Sequence, residues 1–278
     1  MDDMNAVNRT LYIPLYGKAS VSRKGVLLRD PMAERIWRER GFALRGKSRS
    51  RWLAYCMAMR AVVFDRWTAQ RLREDPHAVV LHLGCGLDSR ALRVDAPRVD
   101  APRALWIDAD LPPVIAEKRR YFQEDDGYRL VAADARETAW VDALPRAGHA
   151  VIVLEGLSMY LTHDELIALL AACARHFEHC DVLMDCYTAF AAKASRFKNP
   201  VKDVGAGIVS GMDDPRLPER APGVRFAGEL SLTPAELVNE LPGGDRAFFR
   251  VVLAGPLTAR LYRLFAYRAA REEAAPCA

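Results

Sequence analysis

Three short segments carry the residues whose types and spacing suit chemistry. The first, Val79-Val80-Leu81-His82-Leu83-Gly84-Cys85-Gly86-Leu87-Asp88-Ser89-Arg90, is an apolar stretch that ends on two glycines and opens a helix. Gly84 and Gly86 allow backbone conformations and a close approach that a side chain would block. A helix starting behind such a turn aims unpaired N–H groups and a positive dipole end at it, a seat for an anionic group. The second segment, Trp106-Ile107-Asp108-Ala109-Asp110, lies roughly 20 residues on, where a carboxylate can bond both hydroxyls of a ribose. In the third, Glu155 directly follows Val151-Ile152-Val153-Leu154, and an acid at a buried strand end needs a partner.

Strand, glycine turn, helix, strand and acidic tip, in that order, describe an α/β sheet that holds a nucleoside. Ser89 replaces the third glycine of the G-x-G-x-x-G fingerprint, so the helix cannot approach a pyrophosphate in the usual way. A nucleoside joined to a smaller anion fits better, and S-adenosylmethionine (SAM) carries adenosine, one carboxylate and a sulfonium. Two rivals share these features: an NAD-dependent oxidoreductase, disfavoured by Ser89, and a SAM-binding protein without turnover. Nucleic-acid methylation lacks its Asn/Asp-Pro-Pro-Tyr platform for a flipped base, because the chain after Leu154 reads EGLSMYL.

The elements that must position these residues follow from patterning. Residues 1–75 read as a helical cap. Leu11 to Tyr16 is the one strand-type run there, interrupted by Pro14, and Asp30-Pro31 opens a helix. Arg51 to Leu72 spaces Leu53, Met57, Ala61, Phe64 and Thr68 on one helical face. From Val79 strands are expected at 79–83, 104–108, 128–132, 150–155 and 181–186, alternating with helices at 88–93, 112–122 and 163–178. Thr162 with Glu165 forms a capping box for the last helix. The domain reading is therefore a cap at 1–75, a SAM-binding core at 76–188, a loop-rich insertion or lid at 189–223, and 224–270 completing the sheet. In that last part a helix capped by Thr233 precedes two expected strands, AFFRVVLAG and LYRLFAYRA. The tandem repeat Val94-Asp95-Ala96-Pro97-Arg98, Val99-Asp100-Ala101-Pro102-Arg103 reads as an extended exposed loop.

Composition bounds the rest. The 278 residues are 51% hydrophobic and 27% charged, with 40 basic against 36 acidic side chains, a balance too even to argue for nucleic acid. No apolar run reaches the ~18 residues of a membrane span, and MDDMNAVNRT has no apolar core of a secretory signal. Six cysteines without a C-x-x-C pair suit free thiols in a reducing cytoplasm, and no metal site is expected. The oligomeric state stays open.

Thr10-Leu11-Tyr12-Ile13-Pro14-Leu15-Tyr16-Gly17-Lys18-Ala19, then LHLGCGLDSR (81–90), WIDADLP (106–112) and LEGLSMYLTHDEL (154–166) together resemble the leucine carboxyl methyltransferase family, most of all its bacterial polyketide O-methyltransferase branch. The resemblance implies a class I SAM-dependent methyltransferase: a Rossmann-like seven-stranded sheet under an N-terminal helical cap. It also implies site roles. Gly84 and Gly86 would line the methionine part of SAM, and Arg60, with Lys18 as second basic partner, would meet its carboxylate. Asp110 would bind the ribose, with Asp108 as a neighbour able to substitute. Asp134 and Ala135 would meet the adenine, and Glu155 the methionyl amino group.

The acceptor that follows is a small-molecule carboxylate or acidic hydroxyl, of a polyketide or other secondary metabolite. A carboxylate needs no base at neutral pH, whereas a phenol does. Tyr160 is the candidate for orienting the acceptor, with Tyr12, Tyr16 and Arg23 as substrate contacts, and no residue stands out as an obligatory base.

Overall fold

A computed structural model describes residues 11–40, 49–94, 104–195, 210–253 and 256–271. Three helices come first: α1 (Tyr12–Ser22), α2 (Pro31–Arg40) and α3 (Arg51–Glu74). Then β1 (Val79–Leu83), α4 (Arg90–Val94), β2 (Trp106–Asp110), α5 (Pro112–Lys118), β3 (Tyr128–Ala132), β4 (His149–Leu154), α6 (His163–His176) and β5 (His179–Tyr187) alternate. The chain ends with α7 (Ala189–Ser195), β6 (Val224–Leu230), α8 (Ala235–Glu240), α9 (Gly243–Val252), α10 (Pro256–Ala259) and β7 (Tyr262–Ala270). Seven strands form one sheet in the order β3-β2-β1-β4-β5-β7-β6.

β1 to β5 pair in parallel and β7 runs antiparallel between β5 and β6. All of β1 is buried, as is β4 from Ala150 to Leu154, which is why those strands read as unbroken apolar runs. The strand order reverses at β1, and a crevice opens there outside the carboxyl ends of the strands. Register decides what meets at that edge. Leu83 pairs with both Ala109 and Leu154, and Leu154 pairs with Met184. Gly84, Asp110, Glu155 and Asp185 therefore come to one rim from four strands.

Several local expectations change. β2 runs to Asp110, two residues beyond the expected 104–108, so Asp108 lies inside the sheet and Asp110 at its tip. The Leu11–Tyr16 run is helical, and Pro14 is accommodated because a first-turn N–H has no intrahelical partner to lose. AFFRVVLAG is not a strand: its residues up to Val252 belong to α9, with Phe249 fully buried, while the edge beside β7 is taken by β6. A short apolar run cannot by itself distinguish strand from helix. α8 begins at Ala235 behind Pro234, so Thr233 does not cap it. The Thr162–Glu165 capping box is present, with Glu165 N–H donating to Thr162 Oγ1 at 3.2 Å and Thr162 N–H to Glu165 Oε2 at 2.7 Å. Most of the tandem repeat, residues 196–209 of the expected insertion, and Cys277 lie outside the described residues.

β6 is an edge strand whose ladder slips between Phe226 and Gly228, with Arg225 and Glu229 exposed. At the opposite rim from the crevice, His149 Nδ1 lies 3.1 Å from Asp75 and Nε2 3.1 Å from Asp181. Hydrogen bonding to Asp181, helped by Asp75 and opposed by burial, raises the His149 pKa. The protonated imidazole thus stabilises the fold, fully below about pH 6.5 and progressively less as pH rises through the raised value. The melting temperature should fall by roughly 2–4 °C from about pH 6 to about pH 8.5, and His149→Gln should flatten that slope in scanning calorimetry. An unchanged slope would remove the histidine clamp from the account.

Candidate active site

A cavity of about 480 Å³ opens on the carboxyl edge of β1, β2 and β4, roofed by α1 and α3. Its floor is the glycine turn. Gly84 has φ +63°, and a Cβ there would lie 3.1 Å from the Leu157 side chain; Gly86 has φ +52°. Gly86 N–H donates to Asp110 Oδ2 at 2.8 Å and Leu111 N–H to Oδ1 at 2.7 Å. The Asp110 carboxylate is thereby fixed at the cavity wall, although burial pushes its pKa up against those two donors.

One cation, Arg60, organises one end of the cavity. Its Nε donates to Glu155 Oε1 at 3.0 Å, and Nη1 donates to Asp185 Oδ2 at 2.8 Å and to the Tyr262 hydroxyl at 2.6 Å. Glu155 also accepts a short contact from Arg90, which bonds Asp65 at 2.7 Å. Lys18 meets Asp88 at 2.9 Å, and Arg93 joins Asp30, Asp65 and Asp88, each at 2.7 Å. Burial alone would raise the Glu155 pKa; Arg60 and Arg90 override it and hold the group down at about 2.

The expected site residues separate cleanly. Lys18, Arg60, Gly84, Gly86, Asp110, Asp134, Ala135, Glu155 and Tyr160 all line the cavity. Asp108 does not. It sits beneath Asp110, 1% exposed, 2.7 Å from Lys118, with the Tyr128 hydroxyl donating at 2.6 Å. Burial would raise its pKa, but Lys118 and His82 keep it well below the usual carboxylate range, so it is a structural ion and not a stand-in for Asp110. Tyr12, Tyr16 and Arg23 are also off the cavity wall. Helical periodicity turns Ile13, Pro14 and Lys18 inward, whereas Tyr12 and Tyr16, four apart, share the stripe facing Trp37, whose ring lies 5.0 Å from that of Tyr16. Arg23 is exposed beyond the end of α1.

At the far end, Asp134 accepts from Arg136 N–H at 3.0 Å and Nε at 2.9 Å, while Trp140 Nε1 donates to its carbonyl at 3.1 Å. Sequence reasoning passed over Asp185, Tyr262 and Trp140, and quoted Asp88 and Arg90 only inside a motif. Asp185 had a usable signal, an acid within the apolar run Val182-Leu183-Met184, the same that marked Glu155.

The donor set fits SAM on charge. Of the charged side chains on the cavity wall, Lys18, Arg60 and Arg136 face four carboxylates, Asp88, Asp110, Asp134 and Glu155, leaving one negative charge in excess. A ligand carrying sulfonium, ammonium and carboxylate brings one net positive charge, whereas a dinucleotide brings a diphosphate to the same acids.

The family model of leucine carboxyl methyltransferase matches residues 16–174. The chain belongs to that family, class I SAM-dependent methyltransferases. It is 34% identical to the tetracenomycin polyketide synthesis O-methyltransferase of Streptomyces glaucescens, spanning 82% of this chain and 84% of that one. It is 30% identical to a SAM-dependent methyltransferase of Gibberella zeae, spanning 80% and 81%. A solved structure of a duf574 family protein from Streptomyces avermitilis shares the fold with a TM-score of 0.56 at 13% identity, over 87% of this chain and 90% of that one. Family membership makes SAM the cofactor.

We propose that Asp110 takes the ribose hydroxyls through charge-assisted hydrogen bonds, each worth about 1.5–3 kcal/mol, so that Asp110→Ala should weaken SAM binding ~10- to 100-fold by calorimetry. Asp108→Asn should leave SAM affinity within a few-fold but lower the melting temperature, since it uncouples buried Lys118. The reverse pattern would exchange the two roles.

Proposed function

We propose that this protein transfers the methyl group of SAM to an oxygen of a small-molecule acceptor, a carboxylate or acidic hydroxyl of a polyketide or related secondary metabolite. Bound SAM supplies an electrophilic methyl carbon on sulfur. Arg60 and Lys18 hold its carboxylate, Glu155 its amino group, Asp110 its ribose, and Asp134 with Ala135 its adenine. Gly84 and Gly86 let the backbone lie against it. The observation that carries this reading is the convergence of Gly84, Asp110 and Glu155 on one cavity beside the doubly anchored Arg60.

The catalytic demand is alignment: the acceptor oxygen must lie in line with the methyl–sulfur bond at about 3 Å, an arrangement worth several kcal/mol. α1 and α3 serve it by closing the cavity over the rim, and Ile13, Leu53 and Met57 keep that roof apolar. Tyr160, on the turn after Glu155, lines the same cavity and orients the acceptor.

Thermal-shift titration separates this reading from its rivals. SAM and S-adenosylhomocysteine (SAH) should each raise the melting temperature, by about 2.7 kcal/mol of added stability at 100 times Kd, and NAD should not. Radiolabel from SAM should then appear in an organic-extractable product of a polyketide acid or phenol library. Stabilisation by NAD alone would replace the proposal with an oxidoreductase; SAM binding without label transfer to any library member would leave a silent binder.

A further inference from the structure

Resting on that reading, we infer that Asp185 takes up a proton when the carboxylate of the cofactor meets Arg60, and that Tyr262 delivers it, so that cofactor binding and proton uptake are one event. The geometry starts from the sharing of one cation. Arg60 Nε donates to Glu155 Oε1 at 3.0 Å, and Nη1 donates to Asp185 Oδ2 at 2.8 Å and to the Tyr262 hydroxyl at 2.6 Å. Both N–H groups of Nη1 are thereby used, and Nη2, 3.0 Å from the same Glu155 oxygen, is the group left to meet a ligand. The two carboxylates are not equally served. Glu155 is also paired with Arg90, whereas the one ion pair of Asp185 among the described residues is with Arg60.

Asp185 is fully buried in β5, where Oδ1 accepts from Gly156 N–H at 2.7 Å and Oδ2 from the Tyr262 hydroxyl at 2.5 Å. The titratable and charged groups around it come from every neighbouring element. α3 brings Arg60 with the Cys56 thiol beside it, the turn after β4 brings Glu155, β7 brings Tyr262, and Cys186 and Tyr187 follow along its own strand. Burial pushes the Asp185 pKa up, and Arg60 and the Tyr262 hydroxyl offset only part of that. A third carboxylate on Arg60 draws on the same positive charge, and the ligand that carries it displaces water from the rim. Both changes disfavour a charged Asp185 further. Glu155 is spared, because Arg90 and the cofactor's ammonium stay with it.

Tyr262 supplies the route. It lines the cavity, whereas Asp185 has no exposed surface of its own. Its oxygen accepts one bond from Arg60, and the second lone pair can take a solvent proton while the hydroxyl proton passes to Asp185 Oδ2. The exchange balances: one proton enters from water, the phenol is restored, and Asp185 is neutral. When the cofactor leaves, the proton retraces that path. Asp185 and Tyr262 both act through Arg60 and are positioning residues.

Isothermal titration calorimetry of SAH into the full chain, repeated in buffers of different ionisation enthalpy between about pH 5 and pH 6.5, counts the protons. Over that range the amino group of SAH is already protonated and adds none. The control ligand is 5′-methylthioadenosine, which keeps the nucleoside but lacks the carboxylate. Asp110 meets the ribose of both ligands, so any share of it cancels in the difference. SAH should take up roughly half a proton or more beyond the control, and its affinity should fall as pH rises through that window, by up to about tenfold per unit. Asp185→Asn should abolish the difference and flatten the pH dependence, which a purely structural role would not move. Tyr262→Phe removes a donor to the anion, so the window should shift to higher pH while SAH still binds. Equal proton counts for the two ligands, a difference that survives Asp185→Asn, or a window that Tyr262→Phe leaves in place would each overturn the inference. Those results leave SAH binding intact; a wild-type protein that binds no SAH would instead sink the cofactor assignment beneath it.

Discussion

The guanidinium of Arg60 is the interaction on which the rest of this structure depends. It lies within the sheet's upper rim, 5% exposed, and is bonded to Glu155, Asp185 and Tyr262. Those partners arrive from three different parts of the fold: the turn after β4, the body of β5 and the first residue of β7. A buried cation of this kind is tolerated only when its donors are matched by acceptors, and removal of one partner leaves a charge stranded in a poor solvent. The same side chain therefore fixes the helical roof to the sheet and sets the charge of the cavity. Stability and the charge of the cavity here share one set of atoms.

That shared arrangement extends outward as alternating charge. Arg90 and Arg93 tie Glu155, Asp88, Asp65 and Asp30 into one network reaching from β4 through α4 to the start of α2. Asp30 also accepts from Ala33 N–H and from Ser89 Oγ, so one carboxylate caps α2 and supports the segment after the glycine turn. Beneath it, Lys118 donates to the Asp88 carbonyl while paired with Asp108. The glycine turn on the cavity wall thus rests on a second layer of ions that fixes its geometry.

Much of this was legible in the sequence because the parallel core obeys simple periodic rules. β1 and β3 fall where the apolar runs predict, and the glycine turn lands beside the acid of the next strand since register leaves no other choice. What escaped was of two kinds. Short apolar runs near the C-terminus carry no period long enough to separate helix from strand, so α9 was misread and β6, with its exposed arginine and glutamate, was hidden. Side-chain direction was the second. Tyr12 and Tyr16 share α1 with Lys18 but lie on a different stripe, and Asp108 and Asp110 share a strand face but sit at different depths. Asp185 and Tyr262 became visible as partners only through the β5–β7 pairing, which brings residues 77 apart into contact.

The outermost strands have a bearing on how copies of this chain behave together. β3 is five residues long and exposes Arg129, and β6 carries a ladder irregularity with charged side chains pointing to water. Neither flank offers a long, flat, apolar template on which a neighbour could extend the sheet. The molecule's seven-stranded platform is in that sense closed to growth by its own borders, and crowding in solution will not easily turn it into a polymer.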